Sequence, residues 1–327
     1  MCSFLSRELN SIFHLSTDNG LNHFYVILLM EGLKRIKSLH EFIEKDKDQG
    51  VERTYYYHST GYKNIHTDKQ EIDIIETRAW GKMLFLDKVL QSTTRDEIIY
   101  HNALVHPLMD FLPKDQRKKV LILGGGEGST AHEVLRWNVD AVTMVDYDAK
   151  LVEYMANDDS WAKGAFNDQR LTCIIDDAWN YMKTAPKFNA VIVDLFDPDF
   201  KKDSLKWASL LKLVMASIAP LKGGFVINAG LYLPWNVSRI REICYLIEEL
   251  CEKNPGYKYH IYTAMIPSFN GDWTFITVTH CKEKFMREPE SLECIPLWIR
   301  QGIRSLAHLV IIMSEDECSL HNIKKLE

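Results

Sequence analysis

Four carboxylates stand at the ends of apolar runs, where their spacing can do chemistry. Asp194 and Asp197 close Val193-Asp194-Leu195-Phe196-Asp197-Pro198, Asp177 belongs to Asp176-Asp177-Ala178 after the run Leu171 to Ile175, and Asp146 ends the run Val142 to Val145. Two acids at one strand end can hold a cation and can take a proton from an ammonium, which turns the amine into a nucleophile. Spacing alone leaves the plainer alternative open, in which the pair caps a loop. Asp177 is placed to accept an adenine amino group or, equally, to cap the helix that follows. Asp146 lies about twenty residues beyond a glycine-rich turn, where a carboxylate can accept both hydroxyls of a ribose.

That turn is Gly124-Gly125-Gly126-Glu127-Gly128-Ser129, directly after the apolar run Val120-Leu-Ile-Leu123. Glycines at such a point allow a sharp turn and the close approach of a ligand to the next helix N-terminus. Ser129 replaces the third glycine of a dinucleotide fingerprint, and Glu127 would repel a diphosphate. The loop therefore suits an S-adenosyl nucleoside better than NAD. A turn that only connects strand to helix is the alternative.

The elements that must position these residues alternate. Strands are expected at Val120 to Leu123, Val142 to Val145, Leu171 to Ile175, Ala190 to Val193 and Phe225 to Ile227, with helices at Ser129 to Trp137, Lys150 to Met155, Trp179 to Met182 and Lys206 to Ile218. Continuous apolar strands alternating with helices specify an α/β fold with a parallel sheet covered on both faces. Ile261 to Met265 and Thr274 to Val278 read as an antiparallel edge hairpin. Upstream, Ile72 to Ile75 and Met83 to Leu86 read as strands of a small β-domain, with a turn at Trp80-Gly81-Lys82. Asp96 to Leu112 reads as a helix that Pro107 bends or breaks. Leu33, Ile36, Leu39, His40 and Ile43 recur at helical spacing, with Gly50 as the helix end. The expected divisions are a helical extension over 1–50, a small β-domain with its linking helix over 51–115, the catalytic domain over 116–285, and a tail over 286–327.

Composition bounds the function. The 327 residues are 46% hydrophobic and 26% charged, the balance of a globular core, and the net charge of −6 argues against an electrostatic grip on nucleic acid or an anionic membrane. Seven cysteines occur without any C-x-x-C pair, so reduced thiols and a cytoplasmic location are expected, with neither a disulfide frame nor a zinc site. The apolar run Phe24 to Met30 is too short to span a bilayer. His101, His106 and His132 lack ligand spacing, so no metal is implied. Trp161, Trp179 and Trp207 read as packing residues.

The stretch from Gln70 through Gly81, Asp87, Gln91, Asp96-Glu97 and Tyr100-His101 resembles the N-terminal signature of the spermidine and spermine synthase family. The G-G-G-E-G loop, Asp146, Asp177-Ala178 and the Asp194-x-x-Asp197-Pro198 pair follow in family order. The resemblance implies a Rossmann-like, class I methyltransferase-type sheet preceded by a small N-terminal β-domain. It implies aminopropyl transfer from decarboxylated S-adenosylmethionine to a di- or polyamine, with no tightly bound cofactor and a homo-oligomeric assembly. In that reading Gln70 and Gln91 contact the adenosyl thioether, and Gly124, Gly126 and Gly128 belong to the binding loop. Glu127 takes the aminopropyl amine, Asp146 the ribose, and Asp177 with Ala178 the adenine. Asp194 is the general base, and Asp197 and Tyr100 orient the acceptor. Glu127 and the segment Ile266 to Trp273 lean towards the thermospermine and agmatine/triamine branch. The family pattern is departed from after Pro198, at Asn228-Ala229-Gly230 and at Phe269, so the acceptor side matches less well than the donor side.

Three functions compete on these residues: an aminopropyltransferase, an S-adenosylmethionine-dependent methyltransferase acting on an amine, and a catalytically altered homologue that binds and regulates. Glu127 disfavours the second, because the extra carboxylate of S-adenosylmethionine would sit beside it. Retention of both Asp194 and Asp197 counts against the third.

Overall fold

The computed structural model describes residues 39–46, 50–114, 117–196, 200–234, 236–280 and 303–305. The chain divides into two compact units, Met1–Tyr62 and Lys63–Glu327. In the first, strand β1 (Leu39–Asp46) pairs antiparallel with β2 (Val51–His58), Leu39 opposite His58 and Asp46 opposite Val51. The helix expected through Leu39, His40 and Ile43 is therefore a strand. Its burial alternates, with Phe42 and Glu44 inward, and Glu44 accepts hydrogen bonds across the hairpin from Tyr55 (2.8 Å) and Arg53 (3.3 Å). Gly50, at φ +66°, serves the hairpin turn and not a helix end. The rest of the extension lies outside the described residues.

The small sheet has the order β3 (Tyr62–His66), β4 (Glu71–Thr77), β5 (Gly81–Leu86), β6 (Val89–Thr93), with β4 to β6 antiparallel. Helix α1 (Glu97–Phe111) leads from it into the main sheet. The central strands are β7 (Lys119–Gly124), β8 (Ala141–Asp146), β9 (Leu171–Ile175), β10 (Ala190–Asp194) and β11 (Gly224–Leu231), all parallel. The helices between them are α2 (Ser129–Leu135), α3 (Ala149–Asn157), α4 (Asp159–Ala162), α5 (Ala178–Met182) and α6 (Phe200–Ile218). Helix α7 (Ser238–Lys253) then leads to strands β12 (Tyr257–Ile266) and β13 (Gly271–His280), and β14 (Ile303–Ser305) follows. The full order is β14-β12-β13-β11-β10-β7-β8-β9, with β13, β12 and β14 each antiparallel to its inner neighbour. The expected edge hairpin is present, but β14 pairs outside it.

Alternation along the strands builds two cores. Leu121, Leu123, Val191 and Val193 face α6 and α7, while Val120, Ile122, Ala190 and Ile192 face α1 and α2. The stretch Asp203–Leu221 is long and apolar enough to cross a membrane by length and composition, yet its Trp207, Leu210, Leu211, Val214, Met215 and Ile218 are buried in the first of these cores.

Pro107 neither ends nor breaks α1. A proline has no N–H for the carbonyl four residues back, here that of Ala103. The Tyr262 hydroxyl from β12 donates to that carbonyl at 2.9 Å, and both groups are buried. Tyr262→Phe leaves the carbonyl without its donor, so we expect it to lower unfolding free energy by about 1–3 kcal/mol. Urea titration followed by circular dichroism checks this; an unshifted midpoint would show that the bond contributes nothing.

Candidate active site

A cavity of about 690 Å³ opens at the carboxyl ends of β7, β8 and β10. Strand order reverses between β7 and β10, and open parallel sheets bind ligands at such a switch point. The small sheet supplies one wall with Gln70, Leu84, Leu86 and Gln91, and α1 supplies Tyr100 and His101. Phe269 and Trp273, from the turn between β12 and β13 and the start of β13, line the cavity as well.

Asp194, the last residue of β10, has both carboxylate oxygens occupied. Tyr100 Oη donates to Oδ1 at 2.9 Å and Thr130 Oγ1 to Oδ2 at 2.5 Å. Burial pushes its pKa up and the nearby Glu127 charge adds to this, while His101, Thr130 and Tyr100 pull the other way. The result is a carboxylate more basic than usual, as a proton acceptor for an ammonium should be.

His101 ties the cluster together. Its Nε2 lies 2.9 Å from Glu127 Oε1, and its Nδ1 lies 3.0 Å from Glu97 Oε2 and 2.8 Å from the Glu97 carbonyl. Burial alone would discharge the imidazole, but Glu127 and Glu97 outweigh it and hold the pKa well above the ordinary value. Lys163 closes the outer end with an ion pair to Glu97. His101, Glu127 and Asp194 each bring a polar atom within 4.8 Å of the others, so the imidazolium already answers the two carboxylates.

In the other half of the cavity, Asp146 ends β8. Burial raises its pKa to about 6, helped by the charges of Glu127 and Asp148 and opposed by the N–H groups of Asp148 and Gly126. Asp148 in turn accepts Gln70 Nε2 at 2.9 Å and Thr67 Oγ1 at 2.8 Å, which fixes the Gln70 amide at the cavity edge. Asp177 caps α5 by accepting the Asn180 N–H at 2.9 Å, and it lines the cavity too. Beside it Trp179 stacks on Phe196, centroids 6.0 Å apart, with Lys206 Nζ 4.2 Å from the Trp179 ring centroid.

At the opposite end Tyr100 meets Phe269 and Phe275 edge-on, and Phe269 lies against Trp273 with centroids 4.6 Å apart. Asn228 accepts the Trp273 indole N–H at 2.7 Å. Asp96 holds this turn in place through the Ser268 N–H at 2.8 Å.

The structure thus brings together Gln70, Gln91, Tyr100, Gly124, Gly126, Glu127, Asp146, Asp177, Ala178 and Asp194 around one cavity. Gly128 does not line it. At φ +87° Gly128 precedes α2, and a Cβ there would meet Phe166 and Ala162 at 2.6 and 2.7 Å, so its glycine is a packing requirement. Asp197 lies outside the described residues. The sequence reading gave no site role to His101, Glu97, Thr130, Phe196, Lys206 or Trp273, although Glu97, His101 and Trp273 fall in stretches that carry the family resemblance. Glu97 and His101 stand four apart on one helix, and that spacing is the signal that could have found them. Trp179, expected as packing, lines the cavity; Trp161 and Trp207 are buried as expected.

A glycine turn and the carboxylates that end the neighbouring strands, set at the switch point of a parallel sheet, make the kind of crevice in which open α/β folds bind their ligands. The Spermine/spermidine synthase domain matches residues 97–288, and the chain belongs to that family. Two curated relatives named polyamine aminopropyltransferase are each 36% identical to it. The Saccharolobus islandicus protein aligns over 64% of this chain and 69% of its own, and the Sulfolobus acidocaldarius protein over 67% and 73%. The crystal structure of spermidine synthase from Thermotoga maritima superposes with a TM-score of 0.63 at 19% identity, covering 80% of this chain and 93% of that one. A spermidine synthase in complex with the transition-state analogue AdoDATO gives a TM-score of 0.66, also at 19% identity, covering 80% and 94%. These two likenesses speak for the fold.

Proposed function

We propose that the cavity transfers the aminopropyl group of decarboxylated S-adenosylmethionine to a di- or polyamine. The observation that carries this reading is the half-buried Asp194 carboxylate at the cavity wall, oriented by two hydroxyl donors beside the Glu127–His101 pair. Asp146 takes the ribose, Asp177 with Ala178 the adenine, Gln70 and Gln91 the thioether, and the Gly124–Gly126 turn lets the nucleoside approach. Glu127 holds the aminopropyl ammonium. Asp194 removes a proton from the acceptor amine, whose lone pair attacks the aminopropyl carbon next to the sulfonium. The N–C bond forms as the C–S bond breaks, and the electron pair leaves with sulfur as neutral methylthioadenosine. The protein's share is positioning and deprotonation.

Tyr100, Phe269 and Trp273 form the acceptor wall, and Asp197 joins Tyr100 in orienting the amine. Glu127 and the segment Ile266 to Trp273 lean towards a triamine- or agmatine-type acceptor; putrescine, agmatine and spermidine are the amines to compare. Assembly as a homo-oligomer in the cytoplasm belongs to the same reading, and sedimentation checks the first part.

Calorimetric titration with decarboxylated S-adenosylmethionine, S-adenosylmethionine and methylthioadenosine tests the donor. Tight binding of the first and third is expected; preference for S-adenosylmethionine would move the reading to methyl transfer. Asp146 accepts from both ribose hydroxyls at once only as the carboxylate, because protonation turns one oxygen into a donor, and its pKa is raised to about 6. Methylthioadenosine affinity should therefore fall as pH drops through that value, by about tenfold between pH 7 and pH 5. A flat profile would remove Asp146 from ribose recognition.

A further inference from the structure

Thr130 is fully buried in the first turn of α2, where its hydroxyl has no access to water. Its Oγ1 reaches Asp194 Oδ2 at 2.5 Å, opposite the Tyr100 bond to Oδ1. The approach depends on the residue between them. Gly125 adopts φ +71°, and a Cβ there would stand 3.3 Å from Asp194 Oδ2 and 3.5 Å from Thr130 Cβ, crowding the bond. Two donors from two helices, one on each oxygen, remove the rotation about χ2 that a lone aspartate would keep. Each oxygen still has a free lone-pair direction.

We infer that Thr130 is a positioning residue for Asp194: its hydroxyl holds the carboxylate in the one orientation that presents a free lone pair to the acceptor amine. This rests on Asp194 being the base. The groups that face Asp194 are Glu127 from the glycine turn, and His101 and Tyr100 from α1, besides Thr130 itself. The negative Glu127 favours the protonated acid, and the other three favour the carboxylate. Thr130 thus sets how far down in pH the base stays ionised. A charge-assisted hydrogen bond in a buried site is strong enough to move that point by about one pH unit.

Thr130→Val keeps the side-chain shape and deletes the donor, and Thr130→Ser keeps the donor. The acid limb of kcat/KM should move up by about one pH unit in the valine variant and return in the serine variant. At pH values below the limb the valine variant should be about tenfold slower, with methylthioadenosine affinity within twofold of the parent as the check on folding. Infrared difference spectra supply a readout that needs no turnover. The protonated-carboxyl band that Asp194→Asn removes should titrate at higher pH in Thr130→Val. An unchanged limb and an unchanged band midpoint would overturn the role of Thr130. Full activity in Asp194→Asn would instead overturn the base, and the positioning role with it, even where the band midpoint moves.

Discussion

Asp194→Asn lowers turnover about a thousandfold and leaves methylthioadenosine affinity within a factor of a few, on the scale of a lost general base. The substitution is isosteric, so the Tyr100 and Thr130 hydroxyls keep a partner: the amide oxygen accepts one of them, and the other rotates to accept from the amide nitrogen. What disappears is the ability to take a proton. Because burial and the Glu127 charge raise the native carboxyl pKa, the parent enzyme should also lose activity on acidification sooner than a free aspartate would dictate. Single-turnover kinetics with a saturating amine separates the chemical step from product release. Turnover at the parent's rate would remove Asp194 from the mechanism.

Glu127→Gln gives the second large effect, about a hundredfold lower kcat/KM for the decarboxylated donor, with methylthioadenosine affinity almost unchanged. Methylthioadenosine lacks the ammonium that the proposed function assigns to Glu127, so only the donor should report the lost charge. Truncating one partner of a buried charge pair typically costs about 2–5 kcal/mol, which covers a factor of this size. A second consequence has a definite sign. The Glu127 charge raises the pKa of Asp194 directly, so with His101 still held charged by Glu97 its removal moves the acid limb to lower pH, the reverse of Thr130→Val. Equal losses for donor and product would place Glu127 in folding and not in ammonium recognition.

Gly124, Asp146, Asp177 and Asp194 were legible because each ends a strand or lies in the turn after one. Apolar runs such as Val120 to Leu123 fix where a parallel strand stops, and the sheet then gathers Gly124, Asp146, Asp177 and Asp194 at one edge. The His101 corner was less legible, since its contact with Glu127 joins residues 26 apart on a helix and a loop. Spacing shows Glu97 and His101 on one face but cannot show what that face meets. Helix Ser238–Lys253 is a different kind of miss. Ile240, Ile243, Cys244, Ile247 and Leu250 recur at helical spacing and are buried together, so its signal was present in the pattern. Strand β1 was misread because Leu39, His40 and Ile43 fit a helical period, whereas the residues that turn inward, Phe42 and Glu44, follow a period of two.

The bond between Tyr262 and the Ala103 carbonyl spans 159 residues of chain. As the polypeptide emerges from the ribosome, the front turn of α1 with Tyr100 and His101 is synthesised long before β12, and its proline-vacated carbonyl waits for a donor that does not yet exist. The same hairpin that delivers Tyr262 carries Phe269 and Trp273 in its turn. Those two cavity-lining rings therefore come from a part of the chain made after every strand that carries Gly124, Asp146 and Asp194. A nascent chain arrested before residue 257 would hold the parallel strands of the cavity while lacking Phe269 and Trp273.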